Sequence, residues 1–582
     1  MPTEAQAIPA IIDPFITRLS SERKAALNFQ KRRFEAFSEN YELYRDTVQI
    51  NRLTQRQAVN IPLMKETIKT LLSSIDEAPD IYFQELDNNL EKEYVLNEFW
   101  SYEADRINLT GLDIQDKKNV LLYGRSFIKL NFMEGFFDAE VLDIYDTVVD
   151  PKTKPLDIES ARYLVHQNIF RPLQAILHND KYRPEAKDKL KKFLMTKEGL
   201  LLGSQNRESL ENKKERLEDI GAEDFAALED MLASSDVIVA LAEHYTTEYD
   251  EKKKEFIRYV AVVAEDDTLL YKEPLKKALG VDFWPFVTWT GDIDTIDFWS
   301  DGEADIVRTI NKIINAWFSQ GVENRMFRNF GMRYFDATNK AFNPKTFTPE
   351  PWGWYPVPGN PNEIIKEIEI PTFTENMVEI DFLKKLAESA TATPSASKGI
   401  EEKRQITLGE LQMVVGKATE RVKGMAIFYR RARKELAEKW YKIMDANAID
   451  SEKITLFKAS YKGNLFAKKV SASDWKSKVG YKVKVTSGAE QEQENASNIQ
   501  RFVVIQKQFP DNPVLKRIFE RKLIEIADLS PDEIKEVMDY EKSRLVMPIA
   551  QEVPQEIPAP PKEAIKLRES VGNLKQLAAQ AI

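Results

Sequence analysis

Six carboxylates lie close together in one short stretch of this 582-residue chain. They are Asp292, Asp294, Asp297, Asp301, Glu303 and Asp305. Carboxylates grouped in this way can bind Mg²⁺ and support phosphoryl transfer. The spacing does not match a calcium-binding loop, and acidic residues also favour the first turn of a helix, whose N-terminal end is positive. We therefore predict a structural role for this acidic cluster and keep a metal-dependent phosphoryl-transfer enzyme as the alternative.

Other residue types that carry catalysis are scarce. Cysteine is absent, which excludes disulfides, thiolate metal sites and cysteine nucleophiles. His166, His178 and His244 are far apart in the sequence and are predicted to be structural or surface residues. Neither a phosphate-binding glycine loop nor a nucleophile elbow occurs. The sequence therefore predicts no enzyme, with no catalytic residue, no metal ligand and no cofactor.

The charge of the chain is unevenly distributed. The net charge is −11, yet nine basic residues face three acidic ones between Lys417 and Lys442. Nine lysines face a single acid, Asp474, between Lys453 and Lys484. An acidic chain is a poor whole-surface ligand for nucleic acid, because that affinity comes from neutralised phosphates. The basic zones are either ordinary solvated faces or a functional surface, and a scaffold that binds RNA or DNA through them is a further alternative.

The length and the hydropathy of the chain limit the architectures that it can adopt. A chain of 582 residues exceeds the roughly 250–300 at which a single core stops growing, so at least two packed regions are expected. There is no run of about 18 apolar residues and no signal-peptide pattern at the N-terminus. We therefore expect a protein that is neither membrane-spanning nor secreted through a signal peptide.

The acidic cluster leads into the most unusual part of the chain, Phe298 to Met444. Ser300 and Glu303 have the spacing of a capping box, and apolar residues follow at helical spacing. The stretch from Gly331 to Pro371 is rich in Pro and aromatic residues, which forbids a helix and favours a compact β or irregular module. A short helix is then predicted from Glu375 to Ser389.

A loop of small residues and a very long helix complete this region. The loop ATATPSASKG covers Ala390 to Gly399, and the helix is predicted from Thr407, in a second capping box with Glu410, to Met444. Such a helix is roughly 55 Å long. Its interior glycines, of which Gly424 is the last, predict close approach of another backbone or a bend.

Elsewhere the patterns predict helices and strands in alternation. Helices are predicted at Pro14 to about Gln57, at Pro62 to Ile75, on through Ser101, and at Pro184 to Leu232. Strands are predicted over residues 120–155, in a hairpin from Val237 to Tyr271, and after Lys453. The C-terminal part is predicted to be helical, with a capping box at Ser530 and Glu533, a Pro-rich linker at Met547 to Pro561 and a last helix at Ala564 to Ala579.

The order of these elements resembles the portal, or head–tail connector, proteins of tailed bacteriophages. The resemblance rests on LYGRSFIKL, on VLDIYDTVVDP, and on the run from Phe283 to Arg325 that leads into a helix. The helix–module–helix–loop–long-helix order follows, then VKVTSG and a helical C-terminus. It covers residues 10 to 545 as an order of elements.

The resemblance implies an α+β subunit with a helical stem, a β-containing wing and clip, a long wing helix and a helical crown, assembled as a ring of about twelve copies. Its regions would be the wing (1–300), first stem helix (301–330), clip (331–371), second stem helix (372–389), tunnel loop (390–406), long helix and wing strands (407–500), crown (501–546), and Pro-rich linker with C-terminal helix (547–582).

The resemblance also implies a function and its partners. Double-stranded DNA would pass through the ring during genome packaging, retention and ejection at one capsid vertex of the virion, after assembly in the host cytoplasm. The partners would be other copies of the chain, the terminase large subunit, a tail adaptor and the major capsid protein, with no membrane.

Two sets of site residues follow from the resemblance. The tunnel-loop residues that would face DNA are Thr391, Thr393, Ser395, Lys398, Lys403 and Arg404. The clip residues that would bind partners are Trp352, Trp354 and Tyr355, because aromatics are enriched at interface hot spots. The three basic loop residues could instead only solubilise the loop, and the three aromatics could fill the core of the clip.

Overall fold

Helices and antiparallel strands alternate along the chain in a computed structural model. The structure describes residues 13–46, 59–75, 79–87, 89–133, 135–194, 238–251, 253–264, 267–329, 333–335, 365–367, 375–393, 408–448, 454–459 and 465–486. All of these belong to one compact unit, Met1–Gln493. The mixture of helix and strand agrees with the predicted α+β class.

Ten α-helices of six or more residues occur in the described residues. They are α1 (Pro14–Lys31), α2 (Phe34–Arg45), α3 (Leu63–Ser74), α4 (Leu90–Arg106), α5 (Leu109–Tyr123), α6 (Leu173–His178), α7 (Pro184–Leu194), α8 (Glu303–Asn329), α9 (Glu375–Thr391) and α10 (Leu408–Asn447). The prediction of α3 is confirmed within one residue at each end. Helices α8 and α10 begin and end close to their predicted limits, and the 40 residues of α10 span about 60 Å.

Fourteen strands form five antiparallel sheets in the same residues. They are β1 (Asp80–Glu85), β2 (Arg125–Met133), β3 (Phe136–Val141), β4 (Thr147–Val149), β5 (Tyr163–Pro172), β6 (Ile238–Asp250), β7 (Glu255–Ala264), β8 (Thr268–Pro274), β9 (Phe286–Thr290), β10 (Arg333–Phe335), β11 (Ile365–Glu367), β12 (Ile454–Ala459), β13 (Leu465–Val470) and β14 (Tyr481–Thr486). The largest sheet has the order β4-β5-β6-β7-β8, a second has β3-β2-β9, and the pairs β1-β14, β10-β11 and β12-β13 stand alone.

The predicted hairpin between Val237 and Tyr271 is confirmed as β6 and β7. These strands pair in continuous register from Leu241 with Ala264 to Asp250 with Glu255, around the predicted turn. Alternating apolar and polar residues on both sides of a short charged turn are the sequence signal that predicts this hairpin.

Three predicted boundaries are wrong. The first predicted helix is two helices, because the chain leaves α1 at Arg32 and re-enters a helix at Phe34. Residues 120–123, predicted as strand, form the last turn of α5, and the strand starts only after Gly124. Strand β1 lies where only helix was predicted. The remainder of two predicted helices, residues 47–57 and 195–232, lies outside the described residues, as do the predicted C-terminal helices and the Pro-rich linker.

The second half of α10 forms the centre of the largest hydrophobic core. Trp440 is fully buried, and its ring packs edge-on against those of Phe99 and Trp100 and at a tilt against that of Phe83. These rings come from α4 and β1. Aromatic pairs at 5.0–5.5 Å in tilted and edge-to-face geometry add to the burial of apolar surface. The long helix is therefore an internal element of the fold along this half.

A close approach of two backbones joins α5 to the start of α8. Gly124 ends α5 with φ +81°, and a Cβ there would lie 2.0 Å from the carbonyl oxygen of Ser300. A Cβ on Gly302 would lie 2.8 Å from the amide nitrogen of Gly124. Only glycine fits at either position, because any side chain would push the two segments apart. The turn before α8 is thus fixed to the end of α5.

Burial of His244 makes the stability of the five-stranded sheet depend on pH. His244 is 3% exposed on β6, and its burial, with a smaller effect of Arg23, lowers its pKa to about 3. The unfolded value is about 6.5. The neutral ring therefore stabilises the fold above pH about 6.5, and that contribution is lost as pH falls towards 3.

We expect His244→Gln to flatten the fall in unfolding free energy between pH 6.5 and pH 3. His178→Gln is the matched control, because His178 is exposed on α6. The measurement is urea unfolding at several pH values. An equal pH slope in both variants would contradict the assignment of this slope to the buried ring.

Candidate functional site

The acidic cluster is bound by arginines in the turn that joins α1 to α2. Asp305 on α8 is the centre: its Oδ2 accepts a hydrogen bond from Arg33 Nη2 (3.1 Å) and its Oδ1 accepts one from Asn40 Nδ2 (3.1 Å). Arg308 also donates to Asp305. Arg33 further pairs with Asp301. These carboxylates are therefore neutralised within the chain by side chains that fix α8 against α2.

The same carboxylate replaces the predicted capping box. Helix α8 begins at Glu303, and the N–H of Gly302 donates to Asp305 Oδ2 (2.9 Å). The hydroxyl of Ser300 is buried and has no hydrogen-bond partner among the described residues. The prediction placed the cap at Ser300 and Glu303. It was wrong because Asp305, three residues into the helix from Gly302, reaches back to the free N–H in their place.

Two further acids of the cluster, Asp294 and Asp297, also have structural partners. Asp294 accepts the N–H groups of Ile296 (2.7 Å) and Asp297 (2.8 Å), which lowers its carboxyl pKa below the ordinary value. Asp297 pairs with Arg32. Within the described residues, no three acidic or histidine side chains form a group that could hold a metal ion. The geometry favours the structural interpretation over the phosphoryl-transfer alternative.

Helices α8 and α9 pack against each other and are tied together at one end. Strand β10 follows α8, strand β11 precedes α9, and the two pair antiparallel from Arg333 with Glu367 to Phe335 with Ile365. The ladder brings the end of α8 and the start of α9 to the same end of the pair, so the helices run antiparallel. Strand pairing at the two ends of the segment 331–371 agrees with the prediction of a β or irregular module.

Helix α9 ends in a C-terminal cap with a strained backbone conformation, which two threonine side chains support. The helix continues to Thr391, two residues beyond the predicted end, and Ala392 adopts the left-handed conformation with φ +52°. The N–H of Thr393 donates to the carbonyl of Glu388 (3.0 Å), as in a Schellman motif. The hydroxyls of Thr391 and Thr393 lie 2.8 Å apart and both side chains are buried. In the single chain these two predicted loop residues point inward.

The other predicted site residues lie outside the described residues. These are Ser395, Lys398, Lys403 and Arg404 of the predicted tunnel loop and Trp352, Trp354 and Tyr355 of the predicted clip. Their roles stay predictions.

A buried ion cluster holds α10 against α5, and the sequence did not reveal it. Arg433 is fully buried; its Nη2 donates to Asp116 Oδ2 (2.6 Å), and its Nε lies 2.6 Å from Asp113 Oδ1 without the angle of a hydrogen bond. The indole N–H of Trp289 on β9 also donates to Asp116 (2.6 Å). The missed signal was an Arg on the apolar stripe of α10, between Tyr429 and Leu436.

In this cluster, burial and the neighbouring charges shift the pKa of Arg433 in opposite directions. Burial alone would lower the pKa of Arg433, but the carboxylates of Asp116 and Asp113 outweigh it and raise that pKa above the ordinary value. Burial raises the pKa of Asp113, and Arg433 partly offsets this. The guanidinium and the carboxylates therefore offset each other's charge in the interior, and the loss of one partner leaves a buried charge.

A family model described as phage SU10 portal protein matches residues 53–570, most of the chain. The chain belongs to the phage SU10 portal protein family. No curated protein matches the chain. Membership confirms the predicted resemblance, and it implies a capsid-associated oligomeric assembly at the virion capsid vertex. The portal family is structural rather than catalytic.

The basic zone of this portal chain is partly internal. Arg433 is buried in the ion cluster, and Lys439 is 6% exposed, where its ammonium donates to the carbonyls of Trp284 (3.0 Å) and Phe286 (2.7 Å). Exposed cations on the described part of α10 include Lys423, Arg431 and Lys442. The zone is therefore a smaller positive surface than its composition indicates. In the described residues no helix has the length and apolar character to cross a bilayer.

We expect Arg433→Met to lower the unfolding free energy by about 3–5 kcal/mol, because two carboxylates would remain buried without their cation. Arg431→Met, on the exposed side of the same helix, should change it by less than about 0.5 kcal/mol. Urea unfolding measures both. Adding Asp113→Asn and Asp116→Asn to Arg433→Met should recover part of the loss, and failure to recover any would contradict the charge argument.

We expect Ala392→Gly to raise the unfolding free energy by about 0.5–1 kcal/mol, because glycine adopts the left-handed conformation without a Cβ clash. Ala390→Gly, two residues earlier inside the helix, should lower it by about 1 kcal/mol. The measurement is the urea midpoint of each variant. Changes of the same sign in both would show that backbone strain at position 392 does not affect stability.

Proposed function

We propose that this portal chain forms the ring-shaped channel through which double-stranded DNA is packaged into the capsid, retained there and later ejected. The ring would stand at one capsid vertex and contact the major capsid protein. Its clip would bind the terminase large subunit during packaging and a tail adaptor afterwards. Assembly would take place in the host cytoplasm, from about twelve copies.

The observation that carries the proposal is the antiparallel pair α8–α9 closed by the β10–β11 ladder. This order of elements fits a stem with a tip: the chain runs along α8, passes through the segment between the paired strands, and returns along α9, which packs on α8. Within a portal family, repeated copies of such a pair around an axis would make a wall of helices around a hole. The segment 394–406 follows directly from the braced cap at the other end of α9.

Charge supports a conduit rather than a tight DNA-binding surface. Each phosphate contact strengthens binding and slows sliding, so a channel that must pass DNA benefits from few cations. The net charge of −11 provides repulsion over most of the chain. Lys398, Lys403 and Arg404 are the loop cations that we propose contact phosphates.

The deletion that tests the loop begins after the cap. Because Thr391, Ala392 and Thr393 complete α9, we expect removal of residues 394–399 to leave ring assembly intact. DNA packaging or retention should fall, since the segment next to the DNA is shortened. Negative-stain microscopy and a nuclease-protection packaging assay measure the two properties. Loss of rings in this variant would instead assign the segment a role in assembly.

The clip aromatics can be tested separately. We expect Trp352→Ala combined with Trp354→Ala to weaken binding of terminase or adaptor by at least about tenfold, because large aromatics dominate interface energetics. The melting temperature should change little. Phe256→Ala, at an exposed aromatic in the β6–β7 hairpin, is the control for loss of a surface ring. A large fall in melting temperature with no specific binding defect would place the two tryptophans in the clip core.

A further inference from the structure

Helix α9 has an apolar stripe that nothing in the described chain covers. Val378, Phe382 and Leu386 are 72%, 66% and 46% exposed and lie four residues apart, which places them along one side of the helix. Ile380 and Ala387 on another side are buried in the core. A helix that is apolar on two sides is typical of one that is covered on both.

The ends of the helix pair that meet at the β10–β11 ladder carry opposite charges. Arg325 and Arg328 are exposed near the end of α8, and Glu379 and Asp381 are exposed near the start of α9. None of the four makes an ion pair with another described residue. The antiparallel packing puts the two cations and the two acids at about the same level along the pair.

In a ring with rotational symmetry, the height of these charges along the helix pair decides which charges of neighbouring copies can meet. Copies in a closed ring are related by rotation about one axis, so elements that run along the axis meet neighbours at equal height. Each copy must also present two different surfaces, one to each neighbour. A cationic end on α8 and an acidic start on α9, at one height, are complementary for such a contact and would repel in a contact of α9 with α9.

We propose that the stripe Val378–Phe382–Leu386 on α9 is covered by α8 of the adjacent copy, with Arg325 and Arg328 of one copy facing Glu379 and Asp381 of the next. This inference rests on the proposed ring. Gly321 on α8 supports it, because a Cβ there would meet nothing within 4 Å in its own chain. Glycine weakens a helix, and an uncovered one inside α8 leaves space for close approach of another copy.

The first test introduces a charge into the stripe. Phe382→Glu should reduce the ring fraction at least tenfold at concentrations where the unaltered protein is fully assembled, while the melting temperature of the dissociated chain stays unchanged. Phe256→Glu is the matched control, since Phe256 is 72% exposed on β7, and it should assemble normally. Native mass spectrometry measures assembly. Full ring formation by Phe382→Glu would overturn the proposal.

The second test exchanges the charges. The variant with Arg325→Glu and Arg328→Glu should assemble poorly, and so should the variant with Glu379→Lys and Asp381→Lys. All four changes in one chain should restore rings, because each interface then contains the same pairs in reverse. A fourfold variant as defective as the twofold ones would overturn the assignment of partners.

The proposed function and this inference fail in different ways. An unaltered protein that stays monomeric under all assembly conditions would contradict the ring itself. An unaltered protein that forms rings, together with ring-forming Phe382→Glu and charge-reversed variants, would leave the ring intact and place the contact elsewhere.

Discussion

The burial of Arg433 between two carboxylates of α5 constrains much of the described fold. A cation in an apolar interior is tolerated only where its partners are in place, so the cluster fixes the register of α10 against α5 and, through Trp289, against β9. Helix α5 in turn ends at Gly124, whose backbone touches the turn before α8. The start of the helical pair is therefore positioned from the long helix through two contacts, one electrostatic and one steric.

Long helices and the hairpin could be predicted because their signals are local. Apolar periodicity and a turn lie within a few residues of each other in β6 and β7, and the same holds for the stripe of α10. Strand β1 had no such signal: it pairs with β14, from Asp80 with Thr486 to Glu85 with Tyr481, about four hundred residues along the chain. Arg433 was counted as a surface cation for the same reason, since its partners lie far away in sequence.

The acidic cluster illustrates how composition alone misleads about chemistry. Six carboxylates within fourteen residues look like a metal site, yet arginines in the turn between α1 and α2, backbone amides and an asparagine bind several of them in the described fold. Arg33 neutralises two of these acids, because its guanidinium reaches both Asp301 and Asp305. In the sequence these basic and acidic residues are separated by more than 260 positions, so only the fold shows that they neutralise each other.

The two-stranded ladder between β10 and β11 has an evolutionary consequence. Because the pairing of Arg333 with Glu367 joins the two ends of the segment 336–364, the chain leaves the helical pair and rejoins it at one place. Loop-closure entropy grows only slowly with length, so insertions or deletions between the strands cost little and do not change the register of α8 against α9. A lineage can therefore lengthen, shorten or replace this segment while the helices on either side of it keep their sequence and their packing.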